Sequence, residues 1–163
     1  MSDFKIKMNN LDDVKKSLDS KSLRVCVIGI GRIGLPTALS FAKSGLQTIG
    51  VDINKKLVDD INLKKFPLKD EPGYENIFND VLGKKLFSAT TKIEDAVNNS
   101  DLILLSLPTP MDKNNMPDYS ALTTVGTQLS EILNLHSLVI VESTIEPGFI
   151  EDEMISLISK SGR

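Results

Sequence analysis

The sequence predicts an α/β fold, a doubly wound parallel sheet with helices on both faces. Segments with the apolar pattern of strands alternate with segments of helical periodicity, an order that favours parallel strands joined by helical crossovers. The run DLILLSL at 101–107 is almost entirely apolar, which is typical of a central strand covered on both faces. A glycine cluster at 29–34 joins the first strand directly to the first long helix. At 163 residues, the chain is long enough for one well-buried domain.

The individual elements follow from apolar periodicity and from the turn residues between them. Residues 1–22 form an N-terminal extension in which Leu11, Val14 and Leu18 predict a short amphipathic helix at about 10–19. This helix is expected to dock on the domain's own surface, the simpler interpretation, or on a partner subunit. Residues 23–163 form the domain. Its predicted strands are 24–28, 47–51, 86–89, 101–107 and a further buried strand at 137–142; its predicted helices are about 32–44, 55–64, 74–82, 92–98, 119–133 and 149–159.

Composition excludes several classes of function. A net charge of −3 with nearly balanced acidic and basic residues argues against nucleic-acid binding. No apolar run approaches the roughly 18 residues of a membrane span, and the N-terminus lacks a signal-peptide core, so a cytoplasmic protein without membrane contact is expected. Cys26, the only cysteine, lies in the first strand and is predicted to be a buried core residue, while the single histidine, His136, is predicted at the surface. No metal site is predicted.

The glycine cluster has the spacing of a dinucleotide-binding turn. Gly29 is expected to turn the chain off the strand, Gly31 to let a pyrophosphate approach the backbone, and Gly34 to let the helix pack closely on the sheet. The helix that follows points its free N–H groups and positive dipole end at the phosphates. The predicted phosphate-binding residues are Gly29, Ile30, Gly31, Arg32, Ile33 and Gly34.

An acidic residue at the end of the second strand defines the cofactor. Asp52 follows the glycines by about 20 residues, where a carboxylate accepts hydrogen bonds from the adenosine ribose hydroxyls and repels a 2′-phosphate. Strand, glycines, helix, strand and Asp52 together predict a Rossmann-type βαβ unit that binds NAD.

Two further segments follow predicted strands. The turn Pro108-Thr109-Pro110 comes after the strand at 101–107, and Ser143-Thr144 comes after the strand at 137–142. Ligands of open α/β sheets gather beyond the carboxyl ends of the strands, so nicotinamide and substrate are expected to meet near these segments.

Five segments carry a resemblance to a known family: VIGIGRIGLPTA, VDIN, EPG at 71–73, SLPTP at 106–110 and VESTIEPG at 141–148. With these segments, residues 24 to about 160 resemble the N-terminal NAD-binding domain of the UDP-glucose/GDP-mannose dehydrogenase family, the nucleotide-sugar dehydrogenases. The VEST and PTP segments are most similar to the branch that acts on UDP-N-acetyl-mannosamine, followed by the UDP-glucose enzymes.

The resemblance implies an activity and a set of site residues. Family members oxidise the C6 alcohol of a nucleotide sugar to a carboxylate in two NAD-dependent steps. The glycine cluster would hold the pyrophosphate and Asp52 the adenosine ribose. Leu107, Pro108, Thr109 and Pro110 would contact the middle of the cofactor, and Ser143 and Thr144 would reach the nicotinamide. Thr144 would also position the reacting water or the substrate hydroxyl. In the alternative interpretation, Ser143 and Thr144 only cap the following helix.

Three positions depart from the family pattern. Arg32 stands where the family often has an aromatic residue, Leu57 where a basic residue is common, and Glu146 where proline is usual. At Leu57 two alternatives stand: Lys55 or Lys56 supplies the basic group in its place, or the affinity for the cofactor is reduced.

The resemblance also implies that these residues are part of a larger enzyme. The family's catalytic lysine and cysteine correspond to segments beyond residue 163, so NAD binding without turnover is predicted for the chain. The full-length parent, expected to be a homodimer, would take a UDP-sugar, and the isolated domain is expected to be a monomer. Two alternatives remain: a non-catalytic NAD(H)-binding module, and the Rossmann domain of another dehydrogenase, of the 6-phosphogluconate or hydroxyacyl type.

Overall fold

A computed structural model describes residues 10–159, which form a five-stranded parallel sheet with helices on both faces. The strands are Arg24–Ile28 (β1), Gln47–Val51 (β2), Phe87–Thr90 (β3), Leu102–Leu105 (β4) and Leu138–Val141 (β5). The helices are Leu11–Asp19 (α1), Gly34–Lys43 (α2), Lys55–Asn62 (α3), Tyr74–Gly83 (α4), Ile93–Asn98 (α5), Ser120–Ile132 (α6) and Ile155–Ile158 (α7), the last preceded by a π-helical turn at Ile150–Met154.

The strand order is β3-β2-β1-β4-β5, with every neighbouring pair parallel. The chain starts in the middle of the sheet, proceeds to one edge and then returns to build the other half. This confirms the predicted doubly wound fold. It also creates a crevice where the order reverses, between the carboxyl ends of β1 and β4.

The central strand β1 shows why the strands read as continuous apolar runs. Val25 and Val27 pack on one face of the sheet with α2, α3 and α4. Cys26 and Ile28 pack on the other face with α5 and α6. Successive side chains of a strand point to opposite faces, so a strand covered on both sides needs an apolar residue at every position. Cys26 is confirmed as a buried core residue, and its burial raises the pKa of the thiol to about 12.

A side-chain clamp joins the helix after β2 to the edge of the sheet. Asn62, the last residue of α3, donates from Nδ2 to the carbonyl oxygen of Ala89 at 2.8 Å, and its Oδ1 accepts from the Ala89 N–H at 3.2 Å. Because β3 is an edge strand, this residue satisfies backbone groups that no neighbouring strand meets there.

The prediction of a buried strand at 137–142 is wrong in part. β5 is present, but Leu138 and Ile140 are 44% and 40% exposed, and only the alternate residues Val139 and Val141 pack into the core. β5 is an edge strand, and α2, which lies on that face of the sheet, packs against β1, β2 and β3. An apolar run therefore identified the strand but not how many of its faces are covered.

The predicted N-terminal helix is also present as α1. The Asn10 side chain caps it by accepting from the Asp12 N–H at 3.0 Å. Ser17 is its buried residue, whereas Leu11 is 68% and Leu18 40% exposed. Within 10–159, Leu11 and Leu18 of the predicted apolar face are thus largely exposed, whereas Val14 is partly buried. The surface on which this face docks stays a prediction. Across the described residues, no helix has the length and apolar character needed to cross a membrane.

Candidate functional site

A cleft of about 880 Å³ lies along the carboxyl edge of the sheet. It lies where the topology creates the crevice, and it collects residues that follow β1, β2, β4 and β5. Ten of the residues predicted for the site line it: Gly29, Gly31, Arg32, Ile33, Asp52, Leu107, Pro108, Thr109, Ser143 and Thr144. The predicted residues Ile30, Gly34 and Pro110 do not line the cleft. Ile30 is fully buried, and Gly34 lies beneath the glycine loop.

Gly29 turns the chain off β1, as predicted. Its φ of +89° lies in the left-handed region that favours glycine. Its N–H still donates to the Val51 carbonyl oxygen at 2.8 Å, so the turn begins while β1 remains bonded to β2. A Cβ at this position would stand 2.4 Å from the Ser106 carbonyl oxygen, so a side chain there is excluded by space as well as by conformation.

The other two glycines of the motif have opposite surroundings. A Cβ at Gly34 would stand 1.9 Å from the carbonyl oxygen of Gly29, so α2 packs against the loop closely enough to require glycine. A Cβ at Gly31 would meet nothing within 4 Å and would project into open space. Gly31 therefore leaves room in the cleft beside the backbone. No side chain caps α2. The Leu35 N–H donates to the Gly31 carbonyl oxygen at 3.1 Å and Pro36 has no N–H, so the N–H groups left for an anion are those of Arg32, Ile33 and Gly34.

Asp52 has a structural task that the sequence did not indicate. Its Oδ2 accepts from the Ile30 N–H at 3.1 Å, and its Oδ1 accepts from the Asn54 N–H at 2.9 Å. The carboxylate thus ties the glycine loop to the end of β2. Each carboxylate oxygen can accept more than one hydrogen bond, so both retain capacity for hydroxyl donors in the cleft.

Ser143 joins the ends of β4 and β5. Its Oγ donates to the Leu107 carbonyl oxygen at 2.7 Å and accepts from the Leu107 N–H at 3.1 Å. Alongside it, Thr109 Oγ1 donates to the Thr144 carbonyl oxygen at 2.9 Å. Since the following π-helical turn has no side-chain cap, the alternative that Ser143 and Thr144 cap it is wrong. Thr144 is exposed and lines the cleft.

Three polar residues around the cleft were not predicted as site residues. Glu71, in the EPG segment, accepts from Arg32 Nη2 at 3.0 Å and so joins the loop before α4 to the glycine cluster. Glu142 accepts from the Thr37 hydroxyl at 2.8 Å, between the end of β5 and α2. Glu71 and Glu142 belong to the EPG and VEST motifs, which were the available sequence signal for them. Their hydrogen-bond partners, however, lie 39 and 105 positions away in sequence.

This arrangement fits a dinucleotide. Gly31 leaves open space where a phosphate can approach the backbone, α2 directs its free end at the same place, and Asp52 presents carboxylate oxygens to one side. Apolar side chains, among them Ile53, Ile93 and Val125, line the remaining wall.

Comparisons with known proteins agree with this interpretation. Residues 23–163 match the family model for the NAD-binding domain of the UDP-glucose/GDP-mannose dehydrogenase family. The UDP-N-acetyl-D-mannosamine dehydrogenase of Campylobacter jejuni is 38% identical over 129 residues, which is 78% of this chain and 30% of that protein.

Solved structures give the same result. A ternary complex of GDP-mannose dehydrogenase from Pseudomonas aeruginosa superposes with a TM-score of 0.81 at 31% identity, covering 86% of this chain and 33% of that one. The UDP-D-ManNAc dehydrogenase of Pyrococcus horikoshii gives 0.80 at 33% identity, with the same coverage. The chain thus spans about a third of the length of these relatives. It belongs to the UDP-glucose/GDP-mannose dehydrogenase family, and residues 23–163 are its NAD-binding domain.

Proposed function

We propose that the cleft binds NAD with its pyrophosphate at Gly31, its adenosine ribose at Asp52 and its nicotinamide near the ends of β4 and β5. The observation that carries this proposal is the open space at Gly31 beside the uncapped start of α2. The backbone N–H groups of Arg32 and Ile33 then face the phosphates, and the Arg32 guanidinium supplies a positive charge at the mouth of the cleft.

At the adenosine end, Asp52 selects NAD over NADP. Its carboxylate accepts from the ribose hydroxyls and repels a 2′-phosphate. Ile53, whose side chain is fully exposed beside Asp52, offers an apolar surface for the adenine ring. Covering that side chain on binding adds a hydrophobic contribution of about 1–2 kcal/mol.

At the other end, Thr144 positions the reacting water or the substrate hydroxyl. Its backbone is held by Thr109, and Ser143 fixes the adjacent residue against Leu107. A hydroxyl in this position both donates and accepts hydrogen bonds and can orient a water molecule without adding charge. When bound, NAD⁺ supplies the hydride acceptor for the oxidation.

The parent enzyme is proposed to oxidise the C6 alcohol of a UDP-sugar, UDP-N-acetylmannosamine or UDP-glucose, to the uronic acid in two NAD-dependent steps. The names of the relatives support this substrate class. The 163 residues alone are proposed to bind NAD without turnover. Their only cysteine, Cys26, is buried in β1, and its raised pKa keeps the thiol protonated, so it cannot act as a covalent nucleophile.

Calorimetric titration with NAD⁺ and NADP⁺ tests the proposed cofactor site. NAD⁺ is expected to bind more tightly than NADP⁺. Asp52→Asn is expected to lower the affinity for NAD⁺ by about tenfold and to reduce the ratio of the NAD⁺ affinity to the NADP⁺ affinity. Asp59→Asn is the matched control. This substitution makes the same change of charge at a surface residue of α3, where Asp59 forms an ion pair with Lys55. Equal weakening by both variants would contradict the role of Asp52. NADH formation by the chain with either UDP-sugar would contradict binding without turnover.

A further inference from the structure

Glu142 places a second carboxylate in the cleft, on the side opposite to Asp52. It directly follows β5, and its N–H donates to the Leu105 carbonyl oxygen at 2.8 Å, which keeps its backbone in line with the edge of the sheet. Its Oε1 accepts from Thr37 Oγ1 at 2.8 Å. Thr37 lies in the first turn of α2, so this bond ties the end of β5 to the helix that follows the glycine loop, while Glu142 itself lines the cleft.

No cation neutralises Glu142 within residues 10–159. The ion pairs in that part of the chain are Arg32–Glu71, Lys55–Asp59, Lys65–Asp60 and Lys84–Asp80. The side-chain partner of Glu142 is instead the uncharged hydroxyl of Thr37. A hydroxyl orients a carboxylate without cancelling its charge, so the negative charge of Glu142 acts on whatever occupies this side of the cleft.

The sheet order determines which part of a dinucleotide lies there. β1 and β4 separate β2, which ends at Asp52, from β5, which ends at Glu142. Neighbouring strands are about 4.8 Å apart, so the two positions are separated by about 14 Å along the edge of the sheet. A dinucleotide with its ribose at Asp52 and its pyrophosphate beyond β1 extends its nicotinamide over β4 and β5.

We propose that Glu142 makes the cleft discriminate between the two oxidation states of the cofactor, in favour of NAD⁺. The nicotinamide ring is a cation in NAD⁺ and is neutral in NADH, whereas the adenosine and pyrophosphate parts are the same in both. A carboxylate on the nicotinamide side therefore attracts only the oxidised form, and release of the reduced form is favoured. This inference rests on the proposed orientation of NAD in the cleft.

Thr37 is the positioning residue of this pair. Its hydroxyl fixes one orientation of the Glu142 carboxylate at the wall of the cleft, and without the hydroxyl the exposed side chain is free to rotate into solvent. Thr37→Val keeps the branched shape and removes the hydrogen bond. It is therefore expected to reduce the discrimination only in part, while Glu142→Gln removes the charge and with it the whole effect.

The test is calorimetric titration of the wild-type chain and its variants with NAD⁺ and NADH separately. An attraction between two unit charges across an open, water-filled cleft corresponds to about a three- to fivefold change in affinity. Glu142→Gln is thus expected to lower the affinity for NAD⁺ by about three- to fivefold relative to the affinity for NADH. Glu142→Lys is expected to shift the ratio of the two dissociation constants further in the same direction. Asp52→Asn is the control that acts on the shared adenosine end, so it should weaken both forms equally and leave the ratio unchanged.

The outcomes separate this inference from the proposed function. In one outcome, the wild type binds both forms and Asp52→Asn weakens the binding of both equally, but Glu142→Gln leaves the ratio of the two dissociation constants unchanged. This outcome would overturn the role of Glu142 and leave the cofactor site intact. Failure of the folded wild type to bind either form would overturn the proposed site and this inference together. Circular dichroism of each variant checks that the fold is retained, and Glu142→Asp is expected to restore part of the discrimination.

Discussion

Alanine substitutions at Gly31 and Gly34 are expected to separate cofactor binding from folding. At Gly34 the new Cβ would stand 1.9 Å from the Gly29 carbonyl oxygen and 3.0 Å from Ser106 Cβ. The first of these atoms belongs to the backbone, so the glycine loop has to move away from α2. Overpacking of this kind costs about 1–3 kcal/mol, and a backbone clash this close belongs at the upper end of that range. The higher helix propensity of alanine offsets at most about 1 kcal/mol.

Gly31→Ala is expected to have the opposite effect. The new Cβ meets no atom within 4 Å, and Gly31 does not have a left-handed φ, so the free energy of unfolding should stay within about 1 kcal/mol of the wild type. The methyl group occupies the space through which a phosphate approaches the backbone. Losing one hydrogen bond to a charged group costs about 1.5–3 kcal/mol, which lowers NAD⁺ affinity by about 10- to 100-fold.

Urea unfolding followed by circular dichroism and calorimetric titration with NAD⁺ measure the two effects. Gly83→Ala is the matched control, because its Cβ also meets nothing within 4 Å and it lies at the end of α4, outside the cleft. The control should change neither stability nor affinity by a large amount. Wild-type NAD⁺ affinity in Gly31→Ala would refute the approach of the phosphate at this point, and wild-type stability in Gly34→Ala would refute the packing argument.

Three further predictions concern residues outside the glycine pair. Asn62→Ala removes both bonds to the Ala89 backbone and should lower the free energy of unfolding by about 1–3 kcal/mol in urea titrations. Arg32→Met breaks the exposed pair with Glu71 and should alter stability by less than about 1 kcal/mol, yet weaken NAD⁺ binding measurably in calorimetry. Burial raises the pKa of Cys26 from 9.0 to about 12, so the folded state keeps a proton that the unfolded state loses. The contribution of Cys26 to the free energy of unfolding is therefore present below pH 9 and declines by up to about 1.4 kcal/mol per pH unit above it. Cys26→Ala should lack this decline when the free energies of unfolding at pH 8 and pH 10 are compared.

The sequence predicted most of the fold because its strands are covered on both faces. VCVI at 25–28 of β1 and LILL in β4 are apolar at every position, and each lies between strands and beneath helices. The ends of elements were less predictable. The run at 101–107 is apolar except at Asp101 and Ser106 and continues to Leu107, but β4 ends at Leu105. Beyond it, the Leu107 backbone bonds to the Ser143 side chain instead of a neighbouring strand. An apolar run indicates that residues are buried, but it does not show at which residue the backbone hydrogen bonding between two strands ends.

The glycine site was predictable because glycine positions report on backbone geometry. Gly29 and Gly34 are confirmed in the tasks expected of them, the sharp turn and the close packing. Side-chain contacts between distant segments left no comparable signal. Thr37 and Glu142 are separated by 105 positions, and only the fold brings α2 beside the end of β5. Likewise, the bond from the Ile30 N–H to Asp52 depends on the path that the loop takes after Gly29.

The charged residues of the cleft bear on how an acidic chain would hold the dianionic pyrophosphate of the proposed cofactor. Among its described lining residues, the charged ones are Arg32, Asp52 and Glu142, and Arg32 is already paired with Glu71. The two carboxylates oppose the charge of Arg32, so side-chain charge supplies only a small part of the attraction for phosphate. Most of the attraction has to come from backbone N–H groups and from the dipole of α2, which act only at close range and in the correct direction. On the proposed orientation of NAD, affinity is expected to depend on the missing Cβ atoms of the glycine loop more than on overall charge. The carboxylates at the two ends of the cleft would then select the cofactor, Asp52 for NAD over NADP and Glu142 for NAD⁺ over NADH.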